Sequence, residues 1–420
     1  MGPKHIVIVK PLVFDANDYE RFDIEYMLRR GLRVTIVDVA DIVIPESPRH
    51  REAYADWPEI NFEIVARRAE LPRVFGSLTD ADLVVNFVSD RHVSARNLFV
   101  LRAMGRMKAP LLILSANAHP GFVESERPRP TIADRIRDLP TRISRANVLN
   151  SLLARIPRQA LGVPAADFVV YGGRRSIMNS ALIGPSTKSI HAHSMDLDRI
   201  IRLRKTMTRE SETSANVFID QGVIGHREYL DPAMRGNFNG AQYFQSLRTL
   251  FGRIEAETGL RVVIAAHPNS TLSYDQGEFG EREIVRGRSI DLIAASQMVI
   301  THNSVLVGAA VALDKPILMI SSREDMYRRG AESAGYHFGL AHALNKEIRF
   351  LDDLDSLDIE AATRIDLGAY RQYVIDYMKL DDSPDLPFWQ IVFDSMDTRM
   401  SVEHVRSHPT VAADSANLNG

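Results

Sequence analysis

Short apolar runs rich in β-branched residues alternate with helix-patterned segments along almost the whole chain. This alternation is typical of parallel sheets covered by helices, because strands buried on both faces carry continuous apolar runs. The sequence predicts strands at residues 6–9, 34–37, 83–88, 111–114 and 168–171 in the first half, and at 217–220, 262–266, 283–285, 298–301 and 316–320 in the second. The fold class is therefore α/β.

Three segments between these strands show helical spacing of apolar residues. Residues 19–30 are predicted to form a helix that ends at Gly31, and residues 243–258 a longer helix that ends at Gly259. Residues 304–313 carry mainly small side chains and are predicted to form a helix that packs closely on a sheet.

The length of 420 residues is too great for one ordinary α/β domain and suits two. We predict a Rossmann-like domain at residues 1–195 and a second one at 196–384. A helix at 385–400, rich in aromatic and aliphatic residues, is expected to pack back on the body, and a flexible tail is expected at 401–420. Two such domains would face each other across a central cleft, so the residues after each strand are where chemistry is expected.

Composition narrows the classes of function and location. The net charge of −3 gives no bulk attraction to nucleic acid, so no nucleic-acid partner is expected. The absence of cysteine excludes disulfides, thiolate nucleophiles and Cys-ligated zinc. No apolar stretch approaches the ~20 residues that span a bilayer. The sequence thus predicts a cytoplasmic protein with at most peripheral contact with the inner membrane face.

The run that ends in His267-Pro268 places a histidine directly after a predicted strand. Pro268 favours an extended conformation for the residue before it. An imidazole at such a strand end can donate to a phosphate oxygen or act as an acid when a phosphate leaves. The alternative is an ordinary loop histidine before a turn proline.

Polar residues also follow the strand predicted at 298–301, in the order Thr301, His302, Asn303, Ser304. Ser304 or Asn303 could cap the small-residue helix that follows. Free backbone N–H groups at a helix start favour an anion, so these four residues are candidate phosphate-binding residues. The alternative is that the cluster serves only as a cap.

Asp220, Gln221 and Gly222 follow the first strand of the second half, and Gln221 and Gly222 are candidate substrate-binding residues. A carboxylate at that strand end could be a general base or bind a sugar hydroxyl. In the other interpretation Asp220 caps the turn at Gly222.

Two further groups are candidate substrate-binding residues. Gly172 and Gly173 would let a ligand approach the backbone, and Arg174 suits an anion. His191 and His193 lie on one face of a strand and could hold a metal, but no third ligand has recognisable spacing, which favours a role at the domain junction or in acceptor binding.

The run from Ile264 to Pro268, the run from Val299 to Ser304 and Lys315-Pro316-Ile317 together resemble the nucleotide-binding half of GT-B glycosyltransferases of bacterial surface polysaccharides. The segments 19–26 and Phe218-Ile219-Asp220-Gln221 are similar to segments of surface-carbohydrate biosynthesis proteins of capsule and lipopolysaccharide clusters. The resemblance spans roughly residues 5–320, densely only over 216–320.

A more distant resemblance is to GT-B sialyltransferases and Kdo transferases. Their His-Pro motif matches His267-Pro268, and there the histidine meets the CMP phosphate. Their serine-bearing helix start is similar to Asn303-Ser304. Their acidic-acidic-Gly motif matches only in part, because Gln221 stands at the second acidic position.

The resemblance implies a metal-independent glycosyltransferase that needs no cofactor. Its donor would be a nucleotide sugar, with a CMP-linked acidic sugar as one option, and its acceptor a glycan or glycolipid bound on the first domain. Asp220 and His267 are the expected catalytic residues. Two alternatives remain open: a polyol-phosphate transferase or nucleotide-sugar epimerase of the same fold, and a non-catalytic scaffold of a polysaccharide assembly complex. The sequence does not give the oligomeric state.

Overall fold

The structure is a computed structural model. It describes residues 3–45, 51–118, 120–121, 145–176, 180–206, 215–224, 239–267, 270, 274, 277–323 and 330–407. The segment 124–145, which is rich in charge and proline and is predicted to be a surface excursion, lies mostly outside these residues, as does Pro268.

In the described chain the first sheet is parallel throughout, and its core strands are apolar and buried on both faces. Its strands are β1 (His5–Lys10), β2 (Arg33–Asp38), β3 (Asn61–Ile64), β4 (Leu83–Asn86), β5 (Leu111–Ser115), β6 (Phe168–Tyr171) and β7 (Lys188–His191). Their order across the sheet is β3-β2-β1-β4-β5-β6-β7. This order is the doubly wound one of dinucleotide-binding folds with one more strand at the edge.

The second sheet repeats the same plan. Its strands are β8 (Ala215–Ile219), β9 (Arg261–Ala265), β10 (Ile284–Val285), β11 (Val299–Thr301), β12 (Ile317–Ser321) and β13 (Arg349–Phe350). They pair in parallel in the order β10-β9-β8-β11-β12-β13. The predicted class, two Rossmann-like domains with a helix that returns from the C-terminus, is confirmed.

The helices lie between the strands and cover the two sheets. In the first half they are α1 (Ala16–Arg21), α2 (Ile24–Arg29), α3 (Ala40–Val43), α4 (Leu71–Ser77), α5 (Leu98–Met104) and α6 (Arg145–Leu153), with 3-10 turns at Glu52–Asp56 and Arg68–Glu70. In the second half they are α7 (Leu197–Thr206), α8 (Gly240–Thr258), α9 (Ser289–Ala295), α10 (Val307–Ala312), α11 (Gly330–Ala343), α12 (Ile359–Thr363) and α13 (Leu367–Tyr373), followed by a π-helical turn at Val374–Met378 and by α14 (Phe388–Ser407).

Helix α14 crosses from the second half to the first. Its residues Trp389, Val392 and Phe393 are buried in the core cluster that covers one face of the first sheet. The indole Nε1 of Trp389 donates to the backbone oxygen of Phe22 at 2.6 Å, which satisfies the buried polar atom. No helix in the described part of the chain is both long and apolar enough to cross a membrane.

Three strands are missing from the predicted apolar runs, although a strand was expected at His191 and His193 beside β7, and each of the three lies at the edge of a sheet. β3, β7 and β13 are short and only partly buried, so their sequences contain no continuous apolar run. Only interior strands must be apolar on both faces. The pattern of apolar runs therefore identifies the interior strands of each sheet and misses most of the edge strands.

Three helix predictions differ from the structure. The single helix predicted at 19–30 is wrong, since Asp23 adopts a φ of 46° and divides it into α1 and α2. The small-residue helix begins at Val307 rather than at Ser304. Helix α14 continues to Ser407, into the segment predicted as a flexible tail. By contrast, α8 ends as predicted, with Gly259 at a φ of 68°.

Candidate functional site

β8 and β11 are neighbours in the second sheet. The chain continues from β8 to β9 on one side and from β11 to β12 on the other. The carboxyl ends of β8 and β11 therefore form the switch point of this sheet. Ile219 and Thr301, the last residues of the two strands, are register partners. Gln221 joins the loops that follow: its Oε1 accepts from the backbone N–H of Asn303 at 3.1 Å, and its Nε2 donates to Asn303 Oδ1 at 3.5 Å. The two predicted clusters therefore meet at one place.

Asp220 lies directly after β8 and is 5% exposed. Its Oδ1 accepts from the backbone N–H of Gly222 at 2.9 Å, and its Oδ2 accepts from the hydroxyl of Tyr274. The backbone N–H of His267 donates to the same carboxylate. Burial raises the pKa of Asp220, and the three donors oppose that rise.

These contacts favour the capping interpretation of Asp220, and its role as a general base stays a prediction. A base must reach the proton that it removes, whereas this carboxyl is buried and its oxygens already accept from three donors. The geometry matches the capping alternative instead, with Gly222 at a φ of 61° in the turn. Through these hydrogen bonds Asp220 connects three parts of the chain: the loop after β8, the loop after β9 and the segment at Tyr274.

Two substitutions at Asp220 test this structural role. Asp220→Ala is expected to lower the free energy of unfolding by about 3 kcal/mol, because three buried donors lose their acceptor. Asp220→Asn is expected to cost only about 1 kcal/mol, because the amide can still accept from Gly222 and donate to the Tyr274 hydroxyl. Urea unfolding of both variants measures the difference, and equal losses would show that the three contacts do not stabilise the fold.

His267 follows β9 and is half-buried. Its backbone is fixed on both sides: the N–H donates to Asp220, and the carbonyl oxygen accepts from the N–H of Ser270 at 3.1 Å. The backbone of His267 is therefore held by Asp220. His267 lies on the side of β8 opposite to β11.

Tyr274 and Arg286 are contacts of this site that the sequence analysis missed. Tyr274 has a φ of 60°, a strained conformation for a bulky residue. Its hydroxyl contacts Asp220 and Ser270, and the guanidinium of Arg286 lies 5.0 Å from the centre of its ring. Arg286 directly follows β10, so the strand-end rule could have found it; Tyr274 lies in a segment without periodicity and gave no such signal.

Asn303 and Ser304 are half-buried at the switch point. The hydroxyl oxygen of Ser304 accepts from the backbone N–H of Leu306 at 3.2 Å, so Ser304 caps the turn before α10 rather than the helix itself. Among the described residues, no acceptor lies at hydrogen-bond distance from the Ser304 hydroxyl proton or from Asn303 Nδ2. Both groups can therefore donate to a ligand.

Thr301 and His302 are not at the surface of the site. Both are fully buried, and the ring of His302 contacts Phe218 at a centroid distance of 5.7 Å. The hydroxyl of Tyr243 lies 3.1 Å from His302 Nε2. These two side chains support the loop from inside the core, and their role in binding phosphate stays a prediction.

The loop that contains Gly172, Gly173 and Arg174 contacts protein. A Cβ on Gly172 would lie 2.5 Å from the backbone oxygen of Ala116, and one on Gly173 would overlap the backbone of Asp376. Arg174 Nε and Nη2 both donate to Asp376 Oδ1, at 3.0 and 2.6 Å. The glycines thus allow the π-helical turn to approach closely, and a ligand-binding role of this loop stays a prediction.

His191 and His193 have different surroundings. His191 ends β7 and is exposed, with its ring 5.7 Å from that of Tyr171. His193 is buried; its ring nitrogens lie 2.9 Å from the carbonyl of Ser194 and 3.1 Å from that of Leu386. His193 therefore joins the first half to the segment before α14. No group of three metal-ligating side chains occurs among the described residues.

The loop after β4 also reaches the second half. Asp90 and Arg91 follow β4, which forms the switch point of the first sheet with β1. Arg91 donates to the hydroxyl of Tyr336 on α11 at 3.4 Å. Asp90 is half-buried and accepts from the Ser180 hydroxyl at 2.6 Å; burial raises its pKa.

Neither a protein-family model nor a curated protein matches this sequence. Among solved structures, a variant of the wall teichoic acid polymerase TagF matches over 96% of this chain and 90% of its own, with 12% identity and a TM-score of 0.50. The calicheamicin glycosyltransferase CalG4 matches over 98% and 100%, with 13% identity and a TM-score of 0.44. A UDP-GlcNAc 2-epimerase from Methanocaldococcus jannaschii matches over 95% and 99%, with 10% identity and a TM-score of 0.44. The chain has a GT-B-like fold.

Proposed function

We propose that the chain is a GT-B glycosyltransferase whose second half binds a nucleotide-activated sugar. The observation that carries this proposal is the placement of hydrogen-bonding groups on both sides of the end of β8. His267 follows β9 on one side, and Asn303 and Ser304 follow β11 on the other. Neighbouring strands lie about 5 Å apart, so the two sets are separated by about 10 Å, which suits the phosphates of a sugar nucleotide.

In this proposal Asn303 and Ser304 hold the donor phosphate. Asn303 Nδ2 and the Ser304 hydroxyl supply two donors that are fixed before the ligand arrives, because Gln221 Nε2 contacts Asn303 Oδ1 and the backbone N–H of Leu306 contacts the Ser304 hydroxyl oxygen. Donors fixed in this way stabilise the charge that grows on a departing phosphate without a cost of reorganisation.

His267 stabilises the negative charge of the departing phosphate from the β9 side of β8. An N–H of its imidazole donates to the phosphate oxygen on which negative charge accumulates as the glycosidic bond breaks. Asp220 positions His267 through the backbone contact and does not take part in proton transfer. The phosphates are bound by these donors and by Arg286, so no metal ion is required.

The acceptor hydroxyl is bound by the first half, and Asp90 takes its proton. Asp90 lies at the switch point of the first sheet, in a loop that contacts α11 through Arg91. Burial raises its pKa, which makes the carboxylate a better base than an exposed aspartate. His191, exposed at the end of β7, lies on the same edge of the sheet and is proposed to contact the acceptor.

The biological setting rests on the sequence resemblance given above. We infer that the acceptor is a glycan or glycolipid of a bacterial capsule or lipopolysaccharide, that a CMP-linked acidic sugar is one suitable donor, and that the protein acts in the cytoplasm. A polyol-phosphate transferase or an epimerase would use the same phosphate-binding groups and differ in the bond that breaks.

A thermal-shift screen tests donor binding. CMP, CDP, UDP and GDP sugars are added to the full chain in EDTA, and one class is expected to stabilise it, by about 2.7 kcal/mol at a hundred times its dissociation constant. The matching free sugars are the control and should have no effect. Failure of every nucleotide to raise the melting temperature would contradict the proposal and favour a scaffold, whereas a response only without EDTA would contradict metal independence.

A further inference from the structure

A cavity of about 570 Å³ lies at the edge of the second sheet that is opposite to the candidate site. Its walls come from the residues just before β13, from the first residue of that strand, from the end of α12 and from the start of α13. The strands of this sheet are parallel, so the amino end of β13 and the carboxyl ends of β8 and β11 lie at opposite edges. The cavity is therefore separate from the site proposed to bind the donor.

Lys346 is half-buried in the wall of this cavity. Its Nζ donates to the backbone oxygen of Ala362 at 3.1 Å and to that of Arg364 at 2.6 Å. Both oxygens lie at the end of α12, where carbonyl groups lack partners within the helix. A neutral amine has two N–H groups and one lone pair. With both N–H groups donated to these carbonyls, the lone pair remains available to a ligand in the cavity.

The surroundings of Lys346 favour that neutral form. Burial lowers the pKa of Lys346 to about 8, and the negative charge of Asp366 opposes part of the fall. Asp366 is itself occupied, because its carboxylate accepts from the backbone N–H of Ala369 at 3.0 Å and from Asn345 Nδ2 at 2.8 Å. Near pH 8 about half of the Lys346 amine is therefore neutral, whereas an exposed lysine with a pKa of ~10.4 is almost fully charged.

Two guanidinium groups line the same cavity, those of Arg349 and Arg364. Arg349 Nη2 lies 2.9 Å from a carboxylate oxygen of Glu347, but Arg349 Nε is buried and has no hydrogen-bond partner among the described residues. Arg364 is exposed, and no acid pairs with its guanidinium in the described part of the chain. Guanidinium groups match the geometry of phosphate oxygens. The cavity thus places a nucleophilic amine beside two groups that can bind phosphate.

We propose that Lys346 is a site of covalent acylation, and that small acyl phosphates are the reagents that fit its cavity. Arg349 and Arg364 bind the phosphate, and the neutral amine attacks the acyl carbon. A bond forms between Lys346 Nζ and that carbon, the bond from the carbon to the phosphate oxygen breaks, and the departing phosphate takes the proton that the nitrogen loses. The product is an uncharged amide with a single N–H, so Lys346 keeps only one of its two carbonyl contacts. The proposal does not depend on the reaction performed at β8 and β11.

Mass spectrometry of the full chain after treatment with acetyl phosphate tests the proposal. At about pH 7.5 we expect Lys346 to be acetylated roughly tenfold faster than Lys205, an exposed lysine on α7. The rate at Lys346 should level off above about pH 8, where its amine is mostly neutral, whereas the rate at Lys205 should continue to rise. Equal rates and equal pH profiles at the two lysines would overturn the proposal.

Arginine variants separate phosphate recognition from the reactivity of the amine. Arg349→Gln with Arg364→Gln should slow acetylation by acetyl phosphate roughly tenfold. The same variant should react almost normally with the succinimidyl ester of acetic acid, which has no phosphate. Arg364→Gln alone, at an exposed position, should show a smaller loss with the same selectivity, and it replaces the double variant if that one has a lowered melting temperature.

The matched control is Arg371→Gln, at an exposed arginine of α13 outside the cavity, which should leave both rates unchanged. An equal loss with the two reagents in the variants of the cavity, or no loss with acetyl phosphate, would overturn the proposal.

Discussion

Asp90→Asn is expected to lower the rate of sugar transfer about 10²- to 10⁴-fold, the range typical of losing a general base. The amide fills the same volume and still accepts from Ser180, but it cannot take a proton. The affinity for the nucleotide sugar should not change, because the hydrogen-bonding groups proposed to bind its phosphates lie in the second half. Single-turnover kinetics and a thermal shift with the same donor separate the two quantities.

The pH dependence distinguishes a base from a structural residue. Because burial raises the pKa of Asp90, the rate should fall as the pH drops through a value above the usual ~4 of an aspartate. The Ser180 hydroxyl stabilises the charged carboxylate, so Ser180→Ala should raise that pKa and move the acid limb to higher pH. An unmoved limb in Ser180→Ala, or full transfer by Asp90→Asn, would eliminate Asp90 as the base.

His267→Ala is expected to lower turnover about 10²- to 10³-fold, the effect of removing one fixed donor to a developing oxyanion. The fold should remain intact, because the backbone of residue 267 supplies the contacts to Asp220 and Ser270. Since the imidazole contacts the phosphate most strongly as it leaves, the loss should appear in kcat more than in KM.

A matched control for His267→Ala is available in His342→Ala, an exposed histidine in the last turn of α11. Its turnover should equal that of the wild type. Wild-type turnover in purified His267→Ala would remove the histidine from the site, and a lowered melting temperature in that variant would assign it a structural role.

The fold was largely predictable because interior strands of a parallel sheet must be apolar on both faces. β1, β6, β8 and β12 carry that signal, and each is close to its predicted position. β3 and β13 do not carry the signal of a continuous apolar run, because an edge strand is half solvated. The break at Asp23 was equally hidden, since its left-handed φ occurs without a local glycine that would signal it.

The site was predictable only in its location. Parallel strands end at one edge, which is why Asp220, His267 and Ser304 could be placed together from sequence. Their exposure could not, because it depends on neighbours far away in the chain: Tyr274 covers Asp220, and Tyr243 and Phe218 enclose His302. Polar residues at strand ends divide into those that face ligand and those that support the loops, and one-dimensional patterns do not separate the two.

Product analysis with the nucleotide sugar that stabilises the chain most directly tests the central claim of donor-dependent glycosyl transfer. The protein is incubated with that donor and a glycan or glycolipid acceptor, and the nucleotide and sugar products are separated by chromatography and identified by mass. Free nucleotide and an acceptor heavier by one sugar residue, both much reduced with His267→Ala, are the expected result. An intact nucleotide attached to an isomerised sugar, or an acceptor that gains a phosphorylated polyol, would contradict glycosyl transfer.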